Sequence, residues 1–371
     1  MRVLIISHAY VERDNHKKLE SLALVPGFEI GVVYPRVWRT WHGEDKLPDA
    51  GVAGRSTYRE FPLGVLFAGN AGRYVFNLYE LSKVLITFRP DLVHLEEEPF
   101  VPVAFEVVVL SWLLRLKLIF FSWENLCLPL GLVRSITEKL VFNGARGALV
   151  GSSGALGRLR RCGFKKDIHL IPQFGVDQNL FRNFDRRYAK GSGFVVGFVG
   201  RFSLDKGIDI LFRSVSRLPV DVRLLLVTSS TVVPNSVWGL ARANDLSERI
   251  RMETGIAHSR LPEFYNLMDV FVLPSRGTKT WMEQFGRTII EAMACGAPVI
   301  GSDSGAIPEV IGTAGLIFRE GSSDDLLARL TEVIQSDALR RRLSAAGQEL
   351  VREKYTFDDL ARRTVDYYLS L

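Results

Sequence analysis

Two glutamates, Glu283 and Glu291, lie eight residues apart in the segment EQFGRTIIEAMACG, shortly after the apolar run VFVLPS. The run predicts a buried parallel strand, and apolar residues at helical spacing after Gly286 predict a helix. Both carboxylates should therefore crowd a helix N-terminus, where unpaired N–H groups suit a phosphate and carboxylates can accept hydrogen bonds from hydroxyl groups. This pattern suggests a sugar nucleotide site. The alternative is a Glu283 that caps the helix and a Glu291 that is partly buried and paired.

A second segment that could bind phosphate is FVVGFVGRFSLDKGID, which predicts a strand followed by Gly200, Arg201 and Lys206 before a helix. Gly200 lets the backbone approach a ligand closely, and the two cations could lie over a diphosphate without a metal ion. Taken alone, the segment is also compatible with a solvated turn. Because both segments follow strands in the same half of the chain, we expect them to form one site.

Short apolar runs alternate with helical patterns along most of the chain, which is typical of parallel sheets in an α/β architecture. The runs are too many for one sheet, and the pattern restarts after the charged, glycine-bearing segment 183–193. We therefore predict two Rossmann-like, doubly wound domains facing across a cleft, with ligands at the carboxyl ends of the strands. The predicted domains are residues 1–185 and 190–355, and residues 356–371 form a helix that packs back on the first domain. The runs are RVLIIS, EIGVVYP, DLVHLE, KLIFFSW, GALVGSS, IHLIPQ, FVVGFVG, VRLLLVTSS, RIRMETG, VFVLPS, PVIGSD and GLIF.

The pair GRFSLDKG and EQFGRTIIE resembles the donor-site signature of the retaining glycosyltransferases of the GT-B fold, in glycosyltransferase family 4, also described as glycosyl transferases group 1. The resemblance is tightest over residues 194–210 and 270–318 and covers most of the chain. It implies transfer of a sugar from a nucleoside diphosphate sugar to a hydroxyl group of a glycan or lipid-linked acceptor, with the anomeric configuration retained. No DxD-type carboxylate pair stands out, so we expect neither a metal ion nor another cofactor.

The resemblance also implies roles for single residues of the second domain. Arg201 and Lys206 would bind the diphosphate and stabilise the leaving nucleotide, while Glu283 would meet sugar hydroxyls and Glu291 the ribose. The backbone near Gly255–His258 would face the nucleobase. Further backbone N–H groups would line the sugar and diphosphate, and they belong to Gln284, Phe285, Gly286, Thr288 and Ile289.

Acceptor-side candidates are found in the first domain. The segment DLVHLEEEPF places His94 and Glu96 at the carboxyl end of a predicted strand, although a solvated loop would explain the acids equally well. In FFSWENLCLP, Glu124 and Asn125 stand where relatives commonly have a histidine, which favours Glu124 for a hydrogen bond to the acceptor or the sugar. Lys17 could approach a phosphate or an acidic acceptor, or it could simply begin a surface helix. His8, His42 and His169 are interpreted as ordinary histidines.

The composition narrows the possible partners. The 371 residues are 47% hydrophobic and 24% charged, which is typical of a globular protein of two domains. A net charge of +6 fits an anionic substrate or a weak attraction to an anionic membrane surface, and the absence of RNP, zinc-finger and basic-helix patterns argues against nucleic acid. Three scattered cysteines argue against disulfides and zinc, so the cytoplasm is the expected compartment.

The most apolar window, residues 101–121, is long enough to span a bilayer but contains Glu106, Arg115 and Lys117. We interpret it as a buried helix followed by the strand KLIFFS, and contact of part of it with the cytoplasmic face of a membrane is the alternative.

Other classes of protein remain as alternatives at this stage. A glycosidase could use Glu283 and Glu291 as its two carboxylates, but Arg201 and Lys206 would then have no purpose. A nucleotide-sugar epimerase of the same fold would keep the donor site and lack an acceptor. A non-catalytic partner subunit would be expected to have lost charged donor residues that are present here.

Overall fold

The twelve apolar runs of the sequence form strands of two parallel sheets, which confirms the predicted fold class. The computed structural model describes residues 1–39, 45–46, 57–184 and 193–371. The chain divides into two units: Met1–Phe174 together with Phe357–Leu371, and Gly175–Thr356. Most of the segment that suggested the boundary, residues 185–192, lies outside the described residues, and so does His42.

The first unit contains a seven-stranded sheet in the order β7-β6-β5-β4-β1-β2-β3, with every neighbouring pair parallel. The central strand β1 lies between β2 and β4, so that Val3 is paired with Ile30 on one side and Leu92 on the other. The strands are β1 Arg2–Ile6, β2 Glu29–Pro35, β3 Arg59–Leu63, β4 Leu92–Leu95, β5 Lys117–Ser122, β6 Gly147–Val150 and β7 Asp167–Leu170.

Strand β3 was not predicted from the sequence. Within the described parts of the chain it pairs only with β2, at the edge of the sheet, and it is incompletely buried. Its segment REFPL includes Pro62, which cannot donate a ladder hydrogen bond and is therefore tolerated at an edge. An edge strand with a proline and two charged residues lacks the continuous apolar run that marks the inner strands.

Helices cover both faces of this sheet. One face packs against buried side chains of α2 to α5, and the other against those of α1 and α13. The last helix, α13, belongs to this unit and contacts α1, with Ser21 Oγ donating to Asp358 Oδ1 at 2.8 Å. The helices are α1 Lys17–Ala23, α2 Leu78–Phe88, α3 Pro102–Leu113, α4 Leu132–Gly144, α5 Ser153–Arg161 and α13 Phe357–Leu369.

The second unit contains a six-stranded parallel sheet in the order β10-β9-β8-β11-β12-β13. Its strands are β8 Val195–Val199, β9 Arg223–Val227, β10 Ile250–Glu253, β11 Val270–Leu273, β12 Val299–Ser302 and β13 Leu316–Phe318. Its helices are α6 Ile208–Val215, α7 Asn235–Ala243, α8 Leu261–Tyr265, α9 Arg287–Ala294, α10 Ile307–Ile311, α11 Ser323–Gln335 and α12 Asp337–Lys354.

Strand order reverses once in each sheet. In the first unit the chain runs outward from β1 to β2 and β3 and then returns to β4 on the opposite side of β1. In the second unit it runs outward from β8 to β9 and β10 and returns to β11 on the opposite side of β8. Ligands of doubly wound sheets bind at such reversals, beyond the carboxyl ends of the strands. Each unit therefore has one position where its topology favours a ligand.

The apolar window at residues 101–121 forms α3 followed by β5, as predicted. Within the described residues, no helix has the length and apolarity needed to cross a bilayer. The helix is not wholly buried, however, because Trp112 and Leu113 are exposed.

Candidate functional site

At the strand reversal of the second unit, the loop between β8 and α6 carries two cations, Arg201 and Lys206. Arg201 follows Gly200 directly after β8, and its Nη2 lies 3.2 Å from Asp205 Oδ2. The Arg201 side chain is 70% exposed, so this pair is a weak surface contact from which the guanidinium can turn toward a ligand.

Lys206 is held much more firmly than Arg201. Its Nζ donates to Oε2 of Glu283 at 2.7 Å, and both side chains are largely buried. The same carboxylate oxygen accepts from Ser275 Oγ at 2.8 Å. The ammonium also lies 4.7 Å from the centroid of the Trp281 ring, within range of a cation–π contact. Lys206 and Glu283 therefore form one ion pair, and the sequence reasoning missed Ser275 and Trp281 as their partners.

Gly207 allows the loop after β8 to lie very close to the loop after β11. Its φ is +70°, and a Cβ at this position would lie 1.9 Å from the carbonyl oxygen of Pro274. Any side chain would collide with the backbone that leaves β11, so only glycine permits this approach. The glycine thereby brings Lys206 to the loop that carries Ser275 and Glu283.

The helix predicted after Gly286 begins at Arg287, with Gly286 as its N-cap residue. The backbone N–H of Ile289 donates to Gly286 O at 2.8 Å, so this predicted ligand-binding group is already used within the chain. Phe285 is buried with its ring 5.7 Å from that of Tyr355. Gln284, Gly286 and Thr288 lie at the helix start, where N–H groups lack intrahelical acceptors.

Glu291 lies more than a turn inside α9 and is 2% exposed. Its Oε1 lies 2.7 Å from His258 Nε2 and 3.0 Å from Arg287 Nε, and its Oε2 accepts from Tyr265 Oη at 2.9 Å. Burial acts to raise the pKa of this carboxyl, but the His258 and Tyr265 hydrogen bonds and the Arg287 charge outweigh it and lower the pKa. The carboxylate is thus both buried and paired, and it retains room for a further donor because it can accept about four hydrogen bonds.

The predicted nucleobase-facing segment begins just after β10. Gly255 is exposed with a φ of +66°, and His258 opens a short 3-10 helix that ends at Arg260. The His258 ring also packs 5.1 Å from that of Phe181. The structure therefore joins His258 to Glu291, although the two are far apart in sequence.

The acid cluster of the first unit separates into three differently paired carboxylates. Glu96 is buried and accepts from Lys18 Nζ, from Tyr10 Oη at 2.6 Å and from Gln173 Nε2 at 3.0 Å. Glu98 accepts from Ser122 Oγ at 2.6 Å and from two backbone N–H groups, and burial raises its pKa to about 7. These hydrogen bonds indicate a structural role for Glu96 and Glu98.

The other acceptor-side candidates are scattered. His94 is fully buried, with Nδ1 2.7 Å from Tyr368 Oη, so a ligand cannot reach its ring in this structure. Lys17 is half-buried and paired with Glu20 at 2.9 Å, while the neighbouring Lys18 is the buried partner of Glu96. Glu124 is half-buried and accepts from the Leu126 N–H at 2.9 Å, and Asn125 is buried beside it.

Glu97 has a partner that the sequence analysis missed. Its Oε1 lies 2.6 Å from His8 Nδ1 and accepts from Ser7 Oγ, from the His8 N–H and from Tyr74 Oη at 2.8–3.0 Å. The carboxyl is 4% exposed, whereas the His8 side chain is 29% exposed and stacks on Trp38 at 5.1 Å. Burial acts to lower the pKa of His8, but Glu97 outweighs it and raises the pKa.

The pair stands at the strand reversal of the first unit, since His8 follows β1 and Glu97 follows β4. Among the described residues, neither Nε2 of His8 nor Oε2 of Glu97 has a hydrogen-bond partner. A histidine two residues beyond the end of a strand gives no sequence signal of its own, because its acid lies 89 residues away. Only the topology of the sheet connects the two.

No group of three or more His, Cys, Asp or Glu side chains in the described parts of the chain is arranged to hold a metal ion.

Part of the chain is similar in sequence to known glycosyltransferases. Residues 181–350 match the family model described as "Glycosyl transferases group 1". The chain is 28% identical over 175 residues to a D-inositol 3-phosphate glycosyltransferase of Xylanimonas cellulosilytica, covering 46% of this chain and 41% of that protein. It is also 28% identical over 206 residues to a GDP-mannose-dependent alpha-(1-6)-phosphatidylinositol monomannoside mannosyltransferase of Mycobacterium tuberculosis, covering 52% and 54%. The chain thus spans about half the length of the curated relatives it matches.

Solved structures match over the whole chain. The sucrose-phosphate synthase of Thermosynechococcus elongatus has a TM-score of 0.77 at 20% identity and covers 100% of this chain and 98% of its own. HepE of Anabaena, solved in complex with UDP, has a TM-score of 0.74 at 16% identity and covers both chains completely. These likenesses show the fold, two Rossmann-like domains as in GT-B glycosyltransferases. Residues 181–350, which carry the Lys206–Glu283 ion pair, are similar to the glycosyl transferases group 1 family.

Proposed function

We propose that the protein is a retaining, metal-independent glycosyltransferase. It would move a sugar from a nucleoside diphosphate sugar to an acceptor hydroxyl group, in the cytoplasmic assembly of a polysaccharide or a lipid-linked glycan. The observation that carries the proposal is the Lys206–Glu283 ion pair beside β11, at the strand reversal of a group 1 glycosyl transferase domain.

The chemical demand of glycosyl transfer is charge separation. Negative charge develops on the leaving diphosphate while the sugar becomes oxocarbenium-like. Lys206 is fixed by Glu283 and Trp281, so its ammonium is already positioned before the reaction. Arg201 adds a second cation, and its exposed side chain can reorient toward a ligand. Two cations and the N-terminus of α9 can supply this stabilisation without a metal ion.

Glu283 and Glu291 would hold the donor at two places. Glu283 keeps one oxygen, Oε2, on Lys206 and Ser275, and its other oxygen would accept from a sugar hydroxyl. Glu291 would accept from a ribose hydroxyl in addition to its three present partners. A nucleotide would therefore be held by the second unit alone, which supports separate tests of donor and acceptor binding.

The acceptor would be bound by the first unit, at the reversal between β1 and β4. His8 and Glu97 present one ring nitrogen and one carboxylate oxygen there, and Trp38 and Tyr74 line them with aromatic surface. Aromatic rings with adjacent hydrogen-bonding groups suit the apolar faces and hydroxyls of a sugar. We therefore propose His8 and Glu97, rather than His94 and Lys17, as acceptor-side residues.

The nucleobase can be identified by ligand-dependent stability. Thermal unfolding and calorimetry with UDP, GDP and ADP, each with and without EDTA, should show stabilisation by one nucleotide because ligand binding to the native state raises its stability. EDTA should leave the effect unchanged. Lys206→Ala should abolish it, while Lys165→Ala, an exposed lysine of the first unit, should not.

The reaction itself needs a product assay. Incubation with the stabilising nucleotide's sugars and a set of methyl hexosides and inositol should release nucleotide and form a product whose anomeric signal in NMR matches that of the donor. Isomerised free donor without transfer would indicate an epimerase instead. Failure of every nucleotide to bind or react would contradict the proposal.

A further inference from the structure

Helix α3 exposes apolar side chains where a surface helix normally places polar ones. Phe105, Val109, Trp112 and Leu113 fall at helical spacing on one stripe, and Trp112 and Leu113 are 76% and 60% exposed. The opposite side of the helix is buried in the core of the first unit. A helix that is apolar all round is normally enclosed on every side, but the described residues of this unit leave the outer stripe of α3 uncovered.

Helix α4 packs against α3 and carries a second stripe of the same kind. Leu132, Val133, Ile136 and Leu140 recur at helical spacing, with Leu132 and Val133 78% and 76% exposed. The exposed residues between them include Arg134 and Lys139, whose charged ends follow apolar stems. We call the two stripes together the α3–α4 surface.

A groove of about 860 Å³ continues this surface at the ends of the two helices. Trp112 and Leu113 line it together with three basic residues, Arg115, Arg146 and Lys166, and none of the described residues that line it is acidic. Cations grouped without an acid favour an anion between them. Burial, together with the charge of Arg146, lowers the pKa of Lys166, an effect that a bound anion would reverse.

A buried polar group in the same groove points to a ligand. Ser111 is 2% exposed, and its Oγ has no hydrogen-bond partner among the described residues. A buried hydroxyl without a partner costs free energy that a ligand oxygen would recover. Lys166 Nζ donates to two backbone carbonyls, of Asn143 and Ala145, and an ammonium has a third proton to donate.

The acids of both helices are turned away from the α3–α4 surface. Glu106 accepts from the Phe76 N–H at 2.9 Å, and burial raises its pKa to about 7. Glu138 is buried and pairs with Arg158 at 2.6 Å. Among the described residues, the outer face therefore presents apolar, basic and neutral polar groups but no acid, a composition that suits segments in the interface of anionic membranes.

We propose that the α3–α4 surface docks on an anionic phospholipid bilayer, with Trp112 and Leu113 at the acyl boundary and a headgroup phosphate in the basic groove. A second copy of this chain fits less well, because a two-fold contact through this surface would set bases against bases without acids between them. The proposal does not depend on the donor site, since every group involved belongs to the first unit.

Vesicle sedimentation tests the proposal on the full chain. Binding should be strong to vesicles of phosphatidylcholine with phosphatidylglycerol, weak to phosphatidylcholine alone, and reduced by salt. Trp112→Ser combined with Leu113→Ser should lower the partition coefficient about tenfold or more. Trp238→Ser, which alters an exposed tryptophan of the second unit, should leave it unchanged.

A charge-reversal variant distinguishes vesicle binding by the basic groove from vesicle binding by the apolar side chains. Arg146→Glu should weaken binding to the anionic vesicles about tenfold, whereas Arg342→Glu, an exposed arginine of α12 with the same change in net charge, should have little effect. Circular dichroism melting of each variant should match the original chain, because all these side chains are exposed.

Three outcomes would overturn the proposal. The first is equal sedimentation of the Trp112–Leu113 double variant and the original chain, or no sedimentation with either vesicle. The second is stabilisation by inorganic phosphate alone, lost in Arg146→Glu, without any vesicle binding, which would make soluble phosphate the ligand. The third is a dimer in analytical ultracentrifugation that dissociates in the double variant, which would make the surface a contact between copies.

Discussion

The ammonium of Lys206 and the carboxylate of Glu283 lie 2.7 Å apart, although 77 residues separate them in the chain. The ion pair joins the turn after β8 to the loop after β11, and Gly207 permits the close approach of the two. One consequence is that the group proposed to stabilise the leaving diphosphate and the group proposed to hold the sugar fix each other's position. Removing either should therefore affect both activity and stability.

Lys206→Met should reduce kcat by about 100- to 1,000-fold, the usual effect of losing one preorganised charge-stabilising group. It should also lower the free energy of unfolding by about 1–3 kcal/mol, because Glu283 is left largely buried without its cation. Nucleotide release assays and urea unfolding measure the two effects separately.

The double variant Lys206→Met with Glu283→Gln is the control for the ion pair. Without the buried charge, part of the lost unfolding free energy should return, while the activity should stay low. Recovery of activity in the double variant would show that Lys206 serves only to neutralise Glu283.

Glu291→Gln should raise the Kd for the stabilising nucleotide about tenfold, since a charged acceptor contributes roughly 1.5–3 kcal/mol to a hydrogen bond with a hydroxyl. Tyr265→Phe is the matched control, because it removes one of the bonds to Glu291 and leaves the carboxylate charged. It should cost about 1 kcal/mol of stability and leave the Kd nearly unchanged. Calorimetry that finds the same Kd in Glu291→Gln as in the original chain would remove Glu291 from the site.

The two segments of the proposed donor site could be recognised in the sequence because their pattern is local. A strand, a glycine, two cations and a helix start occur within 16 residues of FVVGFVGRFSLDKGID, and EQFGRTIIEAMACG carries both glutamates. The strands were predictable for the same reason, since inner parallel strands are continuous apolar runs. The edge strand β3, with Pro62, gave no such signal.

The pairings in the first unit could not be predicted because they join distant parts of the chain. Glu96 and Glu97 are adjacent in DLVHLEEEPF, yet one accepts from buried Lys18 and the other holds the accessible His8. His94 was an acceptor-side candidate, but its ring faces Tyr368, 274 residues away on α13. Which acid receives which base depends on the helices that pack on each sheet face, and that is a property of the tertiary structure.

Glu97→Gln should remove the effect that raises the pKa of His8. Because the folded-state pKa lies above the value of about 6.5 in the unfolded chain, this pair stabilises the fold fully below about pH 6.5 and loses that contribution as pH rises through the folded-state pKa. The stability difference between the original chain and Glu97→Gln should therefore shrink with rising pH. NMR titration of the His8 ring should show its pKa falling in the variant, and an unchanged pKa would mean that the two side chains are not in contact.

His8→Gln tests the acceptor proposal directly. It should raise the KM for the acceptor found among the methyl hexosides and inositol, without changing the Kd for the nucleotide, because His8 belongs to the first unit. His169→Gln is a control in the same unit, on β7. Equal acceptor KM values in the two variants would contradict a role for His8 in acceptor binding.

His94 should make the first unit sensitive to acid, with the opposite sign to His8. Burial lowers its pKa to about 4, so the folded state keeps the ring neutral while the unfolded chain takes up a proton near pH 6.5. The stability that depends on neutral His94 is therefore present above about pH 6.5 and is lost as pH falls toward 4. His94→Gln should unfold less readily on acidification over this range, because its amide does not titrate and its oxygen can still accept from Tyr368. Urea unfolding of both proteins across the range measures the difference, and parallel pH profiles would show that another group controls the acid response.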